Sequence, residues 1–539
     1  MINMKNILTM RLMFLVVILF SAGSCKKFVD TNEDPNNPIA PVLELLLPAT
    51  QVSMAASMNG INQGTSAVMQ YLNFSLGGQL DRYTQSGTSY DRSWINLYTQ
   101  ALNDIEIIIR EGTEKQNWGF VAIAKFEKAY IYSLMVDMWG DIPYTETSKE
   151  VVDNSSPQFV KGEIIYDKLF ALIDEGLADA NKGTFSILPA NADIIYKGDK
   201  AAWIRMANSL KLKLFNQVRL VQRDKAVAGI NALLTSGAPL ITTNAQDFSF
   251  RFGTTETPAN RHPWHRSEYQ GSKDFYMSQA LVDRLFNNDD PRLRFYIYRQ
   301  NATATIGNGN SGNGYYGRYP GDPTAAPADL NRRSVPGIYP VGGLYDNAPI
   351  NNLPATNVFL TNTGATAALK AVTNTDGTGA GVFPFITNAM VKFIQAEAAL
   401  ALGTPGDPRT LLQDGITAHL NSVNTISTTS GNSAPPIPAS TITNFVAKYA
   451  TAFTAANAAG KLEIVMNQKY IALFGNGMEA YNDYRRTALP VLPPAVAPLN
   501  TFPLRLSYSA TELSTNGTVT PNAAALQTAQ QFTPVFWDK

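Results

Sequence analysis

The chain is poor in cysteine and in charged residues, and each shortage excludes a class of protein. One cysteine among 539 residues leaves no pair to form a disulfide, so a disulfide framework is excluded. Lys and Arg together number 43, as do Asp and Glu, which gives a formal net charge of zero. Such a chain has no global field to attract nucleic acid, and we expect no nucleic-acid partner. Only 16% of the residues are charged, which predicts a polar but sparsely charged surface.

The N-terminus has the pattern of an export signal. Lys5 and Arg11 precede an apolar run, Leu12 to Phe20, that is shorter than the ~20 residues a membrane-spanning helix needs. Small residues follow this run, and then comes the only cysteine, Cys25. A lone cysteine at this place is typical of a lipoprotein, in which its thiol receives lipid.

We therefore predict a lipoprotein signal peptide over residues 1–24, lipidation at Cys25 and a lipid tether over residues 25–48. Cleavage near Ala22 to Ser24, with an incidental free thiol, is the alternative. The predicted folded body then spans residues 49–539.

Apolar residues recur at helical spacing through much of this body. Helical pairs joined by short loops are predicted at residues 94–111 with 118–139, 162–181 with 200–221, 386–402 with 410–423, and 442–455 with 460–485. Each pair must bury its apolar face against the next pair. The sequence therefore predicts a mainly α fold of stacked helical hairpins that resemble tetratricopeptide repeats.

One region interrupts this pattern. Residues 248–383 lie between two helical-hairpin parts, 49–247 and 384–539, and are rich in Gly, Asn, Pro, Thr and aromatic residues. One helix is predicted within them, near residues 277–286. Loops longer than ~12–15 residues are uncommon in compact domains unless they bind something or are disordered. We expect this loop-rich, irregular lobe to carry the ligand site.

Motifs for nucleotide or metal chemistry lack their structural context. Residues 307–312 and 475–480 match glycine-rich dinucleotide patterns, but neither lies between a strand and a helix. His262 and His265 are spaced three apart, yet flanking arginines raise the cost of holding a nearby dication. We predict no cofactor and no metal site. Calcium held by Asp and Asn of the loops stays open, although no 12-residue calcium-binding loop is present.

Five segments along the chain resemble the SusD/RagB family of surface lipoproteins. They are residues 129–146 (AYIYSLMVDMWGDIPYTE), 200–214 (KAAWIRMANSLKLKL), 287–296 (NNDDPRLRFY), 384–403 (PFITNAMVKFIQAEAALALG) and 467–490 (NQKYIALFGNGMEAYNDYRRTALP). The resemblance implies a SusD-like fold and a non-catalytic, lipid-anchored protein of the outer membrane, displayed at the cell surface. It also implies a nutrient ligand, usually a glycan, that is delivered to a SusC-like TonB-dependent barrel.

Two alternatives remain open at this point. The first is a structural or lid-like subunit of the transporter with little ligand affinity of its own. The second, more remote, is a helical glycoside hydrolase, which would need two carboxylates across a cleft. Carboxylates in the lobe are Glu256, Glu268, Asp274, Asp289 and Asp322. The sequence does not identify the ligand, which could be a glycan or a peptide.

Aromatic residues in polar loops are the candidates for ligand contact. A sugar ring stacks its apolar face on an aromatic ring while polar side chains bond its hydroxyl groups. The candidates are Tyr83, Tyr90, Trp264, Tyr269, Tyr315, Tyr316 and Tyr319.

Overall fold

The computed structural model describes residues 42–538, apart from residues 75–78, 145–155, 188–189, 272, 302–311, 324–330, 363, 365–367, 433 and 529. The predicted signal peptide, Cys25 and most of the predicted tether lie outside the described residues. So does most of the first glycine-rich string, residues 307–312.

Helices dominate the described chain, as the sequence predicts. The N-terminal part contains α1 (Leu43–Val68), α2 (Asp91–Asn96), α3 (Asn103–Glu114), α4 (Trp118–Trp139), α5 (Gly162–Ala180), α6 (Lys200–Gln217) and α7 (Arg223–Thr235). The lobe contains the short helices α8 (Pro263–His265), α9 (Gln279–Asn287), α10 (Leu293–Tyr296) and α11 (Ile338–Val341). The C-terminal part contains α12 (Asn388–Leu402), α13 (Pro408–Thr429), α14 (Ala439–Ala455), α15 (Ala458–Ala472), α16 (Gly477–Thr487), α17 (Ala510–Thr515) and α18 (Ala523–Thr528).

Helices that follow one another in the chain pack together in pairs. α3 packs on α4, α4 on α5, α6 on α7, α12 on α13, and α14 on α15. α1 packs against both α3 and α16, so the first long helix contacts the last part of the helical stack. The mainly α fold of stacked hairpins is confirmed. Among the described residues, no helix has both the length and the apolar character that a membrane crossing requires.

Helix boundaries follow local signals where such signals exist. α4 ends at Trp139, where Gly140 adopts φ 85° and so stops the helix. The helix predicted over residues 460–485 is instead two helices. Gly475 at φ 101° breaks it, and the Asn476 side chain accepts a hydrogen bond from the Glu479 N–H at 3.2 Å, which starts α16. α1 begins at Leu43, so the last residues of the segment assigned to the tether are helical.

The strands are short and pair two by two. They are β1 (Leu72–Phe74), β2 (Ile142–Pro143), β3 (Phe159–Val160), β4 (Phe248–Arg251), β5 (Phe275–Met277), β6 (Ile297–Tyr298), β7 (Val335–Pro336) and β8 (Val382–Ile386). The antiparallel pairs are β1 with β5, β2 with β3, β4 with β8, and β6 with β7. Because β4 opens the lobe and β8 closes it, their pairing brings the two ends of the lobe together.

The lobe and the helical parts share one core. A single cluster of buried apolar side chains includes Leu47 of α1, Trp139 of α4, Trp264 of the lobe and Trp537 near the C-terminus. The Trp537 indole N–H donates to Oδ1 of Asp137 in α4 at 2.9 Å. The lobe is therefore packed onto the helical body and the chain end is fixed to α4.

Candidate functional site

A cleft of about 450 Å³ lies between the lobe and the segment that leads into α14. Its apolar lining consists of Pro291, Phe295, Tyr345, Val358, Phe359, Leu360, Pro435, Pro436, Ile437 and Pro438. Its polar lining consists of Arg294, Asn347, Thr361 and Thr441, and Gly364 completes it. This volume lies within the range of small-ligand sites in proteins.

The motif at residues 287–296 builds one wall of the cleft. Asp289 adopts φ 52°, and its carboxylate accepts hydrogen bonds from the backbone N–H groups of Val358 (2.8 Å), Phe359 (3.1 Å) and Leu360 (2.7 Å). Charge-assisted bonds to three successive N–H groups fix this stretch of the loop. Asp289 therefore positions the Val358 and Phe359 side chains at the cleft.

Arg294 ties two more lobe segments to the same wall. Its guanidinium donates to the carbonyl oxygens of Asp346 (3.0 Å), Ala348 (2.7 Å) and Thr361 (2.7 Å). The Asp346 carboxylate in turn accepts two hydrogen bonds from Arg299, at 2.6 and 2.9 Å. The Phe295 ring packs against the Tyr345 ring with a centroid separation of 4.8 Å.

The opposite wall is held by α13 and α14. Oδ1 of Asn424 in α13 accepts from the Ile437 N–H at 2.8 Å, and its Nδ2 donates to the Ile437 carbonyl at 3.1 Å. The Phe359 ring meets the Phe445 ring of α14 edge to face at 5.4 Å. The two walls are thus in direct contact at the base of the cleft.

The cleft offers apolar and neutral polar groups to a ligand. Tyr345 and Phe359 are half-buried, and Val358 is 63% exposed, so apolar faces are open to a ligand. Asn347, Thr361 and Thr441 supply neutral hydrogen-bonding groups beside them. The described lining contains no Asp or Glu, so this cleft lacks the carboxylate pair that glycoside hydrolysis uses.

The structure places the predicted aromatic candidates elsewhere. Tyr90, Trp264, Tyr269, Tyr315 and Tyr316 are each at most 9% exposed, and none of them lines the cleft. Trp264 packs against Phe275 and Phe474 in the core. These five side chains are therefore buried in this structure. Tyr90 also borders a separate polar groove of about 400 Å³ between α1 and α2.

Tyr83 and Tyr319 are half-buried, and neither lines the cleft. Asp81 joins their loops, because its carboxylate accepts from Asn73 at 3.2 Å and from the Gly321 N–H at 3.3 Å. The Tyr319 hydroxyl donates to Asp283 at 2.7 Å. These two tyrosines remain candidates for ligand contact outside the cleft.

The sequence contained part of the signal for the cleft. Tyr345 and Phe359 are aromatic residues in polar lobe loops, and so meet the criterion by which the other aromatic candidates are selected. Phe295 belongs to the motif at residues 287–296. The wall at residues 435–441 gave no such signal. It lies in the C-terminal helical part and reaches the lobe only through the tertiary fold.

Charged and titratable groups of the lobe have structural partners. Nδ1 of His262 accepts the Trp264 N–H at 3.1 Å, and burial lowers the pKa of His262 to about 3. Burial also lowers the pKa of His265 to about 4. Glu268 pairs with Arg333 at 2.9 Å, while burial raises the pKa of Glu268 to about 7. Within the described residues, no three His, Cys, Asp or Glu side chains are grouped to hold a metal ion.

Comparisons with known proteins agree with this architecture. The SusD-like family model described as "Starch-binding associating with outer membrane" matches residues 35–509. No curated protein sequence matches the chain significantly.

Solved structures share the fold at low sequence identity. A SusD/RagB family protein from Bacteroides thetaiotaomicron is 19% identical, with a TM-score of 0.73 over 93% of this chain and 99% of its own. A chitin-binding protein is 20% identical, with a TM-score of 0.69 over 92% of this chain and 100% of its own. A chitin-binding SusD homolog from Flavobacterium johnsoniae is 18% identical, with a TM-score of 0.66 over 92% of this chain and 98% of its own. With the family model covering most of its length, the chain belongs to the SusD-like family, which is associated with glycan binding and the outer membrane.

Proposed function

We propose that this protein is a non-catalytic, lipid-anchored outer-membrane protein that binds a glycan in the cleft and delivers it to a SusC-like TonB-dependent barrel. One observation carries the proposal. The cleft places half-buried Tyr345 and Phe359 beside neutral polar Asn347 and Thr361, and its described lining has no carboxylate. Apolar rings next to neutral hydrogen-bonding groups suit the two faces of a sugar. The starch-binding family and the chitin-binding neighbours support a glycan as the ligand.

The absence of catalysis is part of this proposal. Glu268 is buried in its pair with Arg333, and the Asp289 carboxylate is occupied by backbone N–H groups. Neither is free to act as an acid or a base at the cleft. Incubation of the isolated protein with oligosaccharides is expected to release no sugar, and measurable release would support the hydrolase instead.

Calorimetric titration of the mature protein with a broad oligosaccharide panel tests the binding role. We expect at least one glycan to bind, and Tyr345→Ala to weaken that binding about threefold to tenfold, because a stacked ring contributes about 0.5–1.5 kcal/mol. Tyr83→Ala is the matched control, since Tyr83 is also a half-buried tyrosine but does not line the cleft. Loss of binding in Tyr83→Ala alone would place the site at Tyr83 and not in the cleft.

Membrane attachment is assigned to the lipidated Cys25. Cys25→Ser is expected to release the protein from the outer membrane and to remove the acyl mass from the mature N-terminus. Protease treatment of intact cells tests display at the surface. A mature chain that starts elsewhere, or that carries no lipid, would contradict this part of the proposal.

A lid-like or structural subunit remains the second candidate, and one surface feature favours it. Val491, Val496 and Leu499 are exposed large apolar residues within a short proline-rich segment. Exposed apolar groups clustered in this way are typical of protein interfaces. Co-purification with a barrel protein, combined with no heat of binding for any glycan, would favour this candidate.

A further inference from the structure

Two of the stretches of chain that line the cleft, one on each wall, contain no charged residues. Residues 347–369 and residues 415–447 contain no Asp, Glu, Lys or Arg, although 16% of the whole chain is charged. The first stretch supplies Asn347, Phe359 and Thr361, and the second supplies Ile437 and Thr441. A ligand in the cleft therefore contacts neutral side chains on both sides.

Arg294 is the charged member of the described lining, and its four Nη hydrogens are already in use. Nη1 donates to the carbonyl oxygens of Asp346 (3.0 Å) and Ala348 (2.7 Å). Nη2 donates to the Thr361 carbonyl (2.7 Å) and to Oδ1 of Asn362 (3.0 Å). Each Nη atom carries two hydrogens, so these four bonds occupy all of them. The Arg294 guanidinium fixes the wall and has no Nη hydrogen left for an anionic ligand.

The carboxylates adjacent to the cleft also have partners within the protein, and one exposed lysine, Lys448, lies beside it. The Asp289 carboxylate accepts from the backbone N–H groups of residues 358–360, and Asp346 is paired with Arg299. Lys448 of α14 donates to the Asn288 carbonyl at 2.5 Å, and its ammonium lies 5.9 Å from the Phe359 ring centroid. In these contacts the charged side chains stabilise the fold of the protein itself.

We propose that the cleft selects neutral glycans over glycans that carry ionised groups; this inference rests on the proposed function. An ionised carboxylate, sulfate or ammonium group that enters a site without a charged partner loses hydration that nothing replaces. Hydroxyl, acetamido and ester groups of a neutral glycan can replace their hydrogen bonds to water with hydrogen bonds to Asn347, Thr361 and Thr441. Proline and aromatic side chains favour C–H and methyl groups. The expected ligands are neutral hexose, N-acetylhexosamine or esterified uronate oligomers.

Pairs of oligosaccharides that differ mainly in charge test the inference on the wild-type mature protein. Suitable pairs are chito-oligosaccharides and their deacetylated forms, and methyl-esterified and free-acid oligogalacturonates of equal length, within a panel of neutral, sulfated and sialylated glycans. We expect the neutral member of a bound pair to bind at least about tenfold more tightly. Preference for charged members would overturn the inference and leave the proposed function standing. Binding of no glycan would overturn the proposed function itself.

A charge placed in the cleft provides the second readout. Thr441→Lys introduces an ammonium group at a lining position, and we expect it to reduce the preference for esterified over free-acid oligomers at least about threefold. Thr443→Lys is the matched control, because Thr443 is exposed on the same helix but does not line the cleft. An unchanged ratio in a folded Thr441→Lys protein would place recognition outside the cleft and overturn the inference.

Discussion

Glu127 is a buried carboxyl group with no cationic partner among the described residues. Its Oε1 accepts from Nε2 of Gln51 at 2.9 Å, and its Oε2 lies 2.9 Å from Oγ1 of Thr50. The Thr50 hydroxyl has one hydrogen and also lies 2.7 Å from the Leu47 carbonyl, to which it can donate. A protonated Glu127 then donates to Thr50, which satisfies every group. Burial raises the pKa of Glu127 to about 8.

Replacement of this residue by its neutral isostere, Glu127→Gln, is expected to flatten the dependence of stability on pH. The pKa of Glu127 is higher in the folded state than in the unfolded state. The stabilisation that Glu127 gives the wild-type protein is therefore complete below about pH 4.5 and is lost as pH rises through about 8. Over that window wild-type stability falls by at most about 1.4 kcal/mol per pH unit from this group. Urea unfolding between pH 5 and 8.5 measures the slope, with exposed Glu463→Gln as control. Equal slopes in wild type and Glu127→Gln would show that Glu127 ionises normally.

The loop over residues 358–360 is an element whose position depends on one side chain. It forms part of the cleft wall, and its three backbone N–H groups all donate to the Asp289 carboxylate. Asp289 itself sits at φ 52°, a left-handed conformation that Asn and Gly also adopt readily. Substitutions at this position can therefore remove the carboxylate without straining the backbone.

Asp289→Gly is expected to loosen the loop and weaken glycan binding. Asp289 is buried, and loss of the three charge-assisted hydrogen bonds that its carboxylate accepts should cost about 1–3 kcal/mol of stability. Hydrogen exchange of the Val358, Phe359 and Leu360 amides should accelerate, while exchange in α12 should not change. Asp289→Asn keeps one acceptor oxygen and should have a smaller effect. Unchanged exchange at these three amides in Asp289→Gly would contradict the assigned role.

Elements with local signals could be predicted, and the cleft could not. α4 spans residues 118–139 as predicted, because Gly140 marks its end within the sequence itself. The interruption before α16 follows from Gly475 and Asn476, although the apolar pattern alone predicts a continuous helix there. Polar neighbours make the lobe aromatics candidates for ligand contact, yet Trp264 and Tyr315 belong to a core that the sequence does not delimit. The cleft walls are distant in sequence, so only tertiary packing reveals them.

At the scale of the whole molecule, a buried cluster of charges joins helices from both helical parts. Glu397 of α12 accepts from Nε of Arg486 (3.0 Å), from Nη1 of Arg219 (2.8 Å) and from Nδ2 of Asn216 (3.1 Å). Lys469 of α15 lies 3.3 Å from it. Burial raises the pKa of Glu397, but the nearby Arg486, Arg219 and Lys469 lower it further, so the carboxyl is held ionised with a lowered pKa. One carboxylate thus balances cations from distant parts of the chain.

Removal of that carboxylate by Glu397→Gln is expected to destabilise the whole fold by about 3–5 kcal/mol at neutral pH, because buried cations lose their partner. Arg486 and Lys469 keep their ion pairs with Asp483, whereas Arg219 loses its ion pair with Glu397. The pKa of Glu397 is lower in the folded state than in the unfolded state, so Glu397 stabilises the fold above the unfolded-state pKa near 4.5, and this stabilisation declines as pH falls. The difference in stability between wild type and Glu397→Gln should therefore shrink in acid.

Circular dichroism and tryptophan fluorescence should report the same lowered melting temperature for Glu397→Gln, because the cluster links α6, α12, α15 and α16 within one core. Asp167→Asn, which breaks the exposed pair with Lys225, should cost at most about 1 kcal/mol and serves as the control. A cost for Glu397→Gln no larger than that control, or separate transitions for the two probes, would show that this cluster does not unite the helical parts.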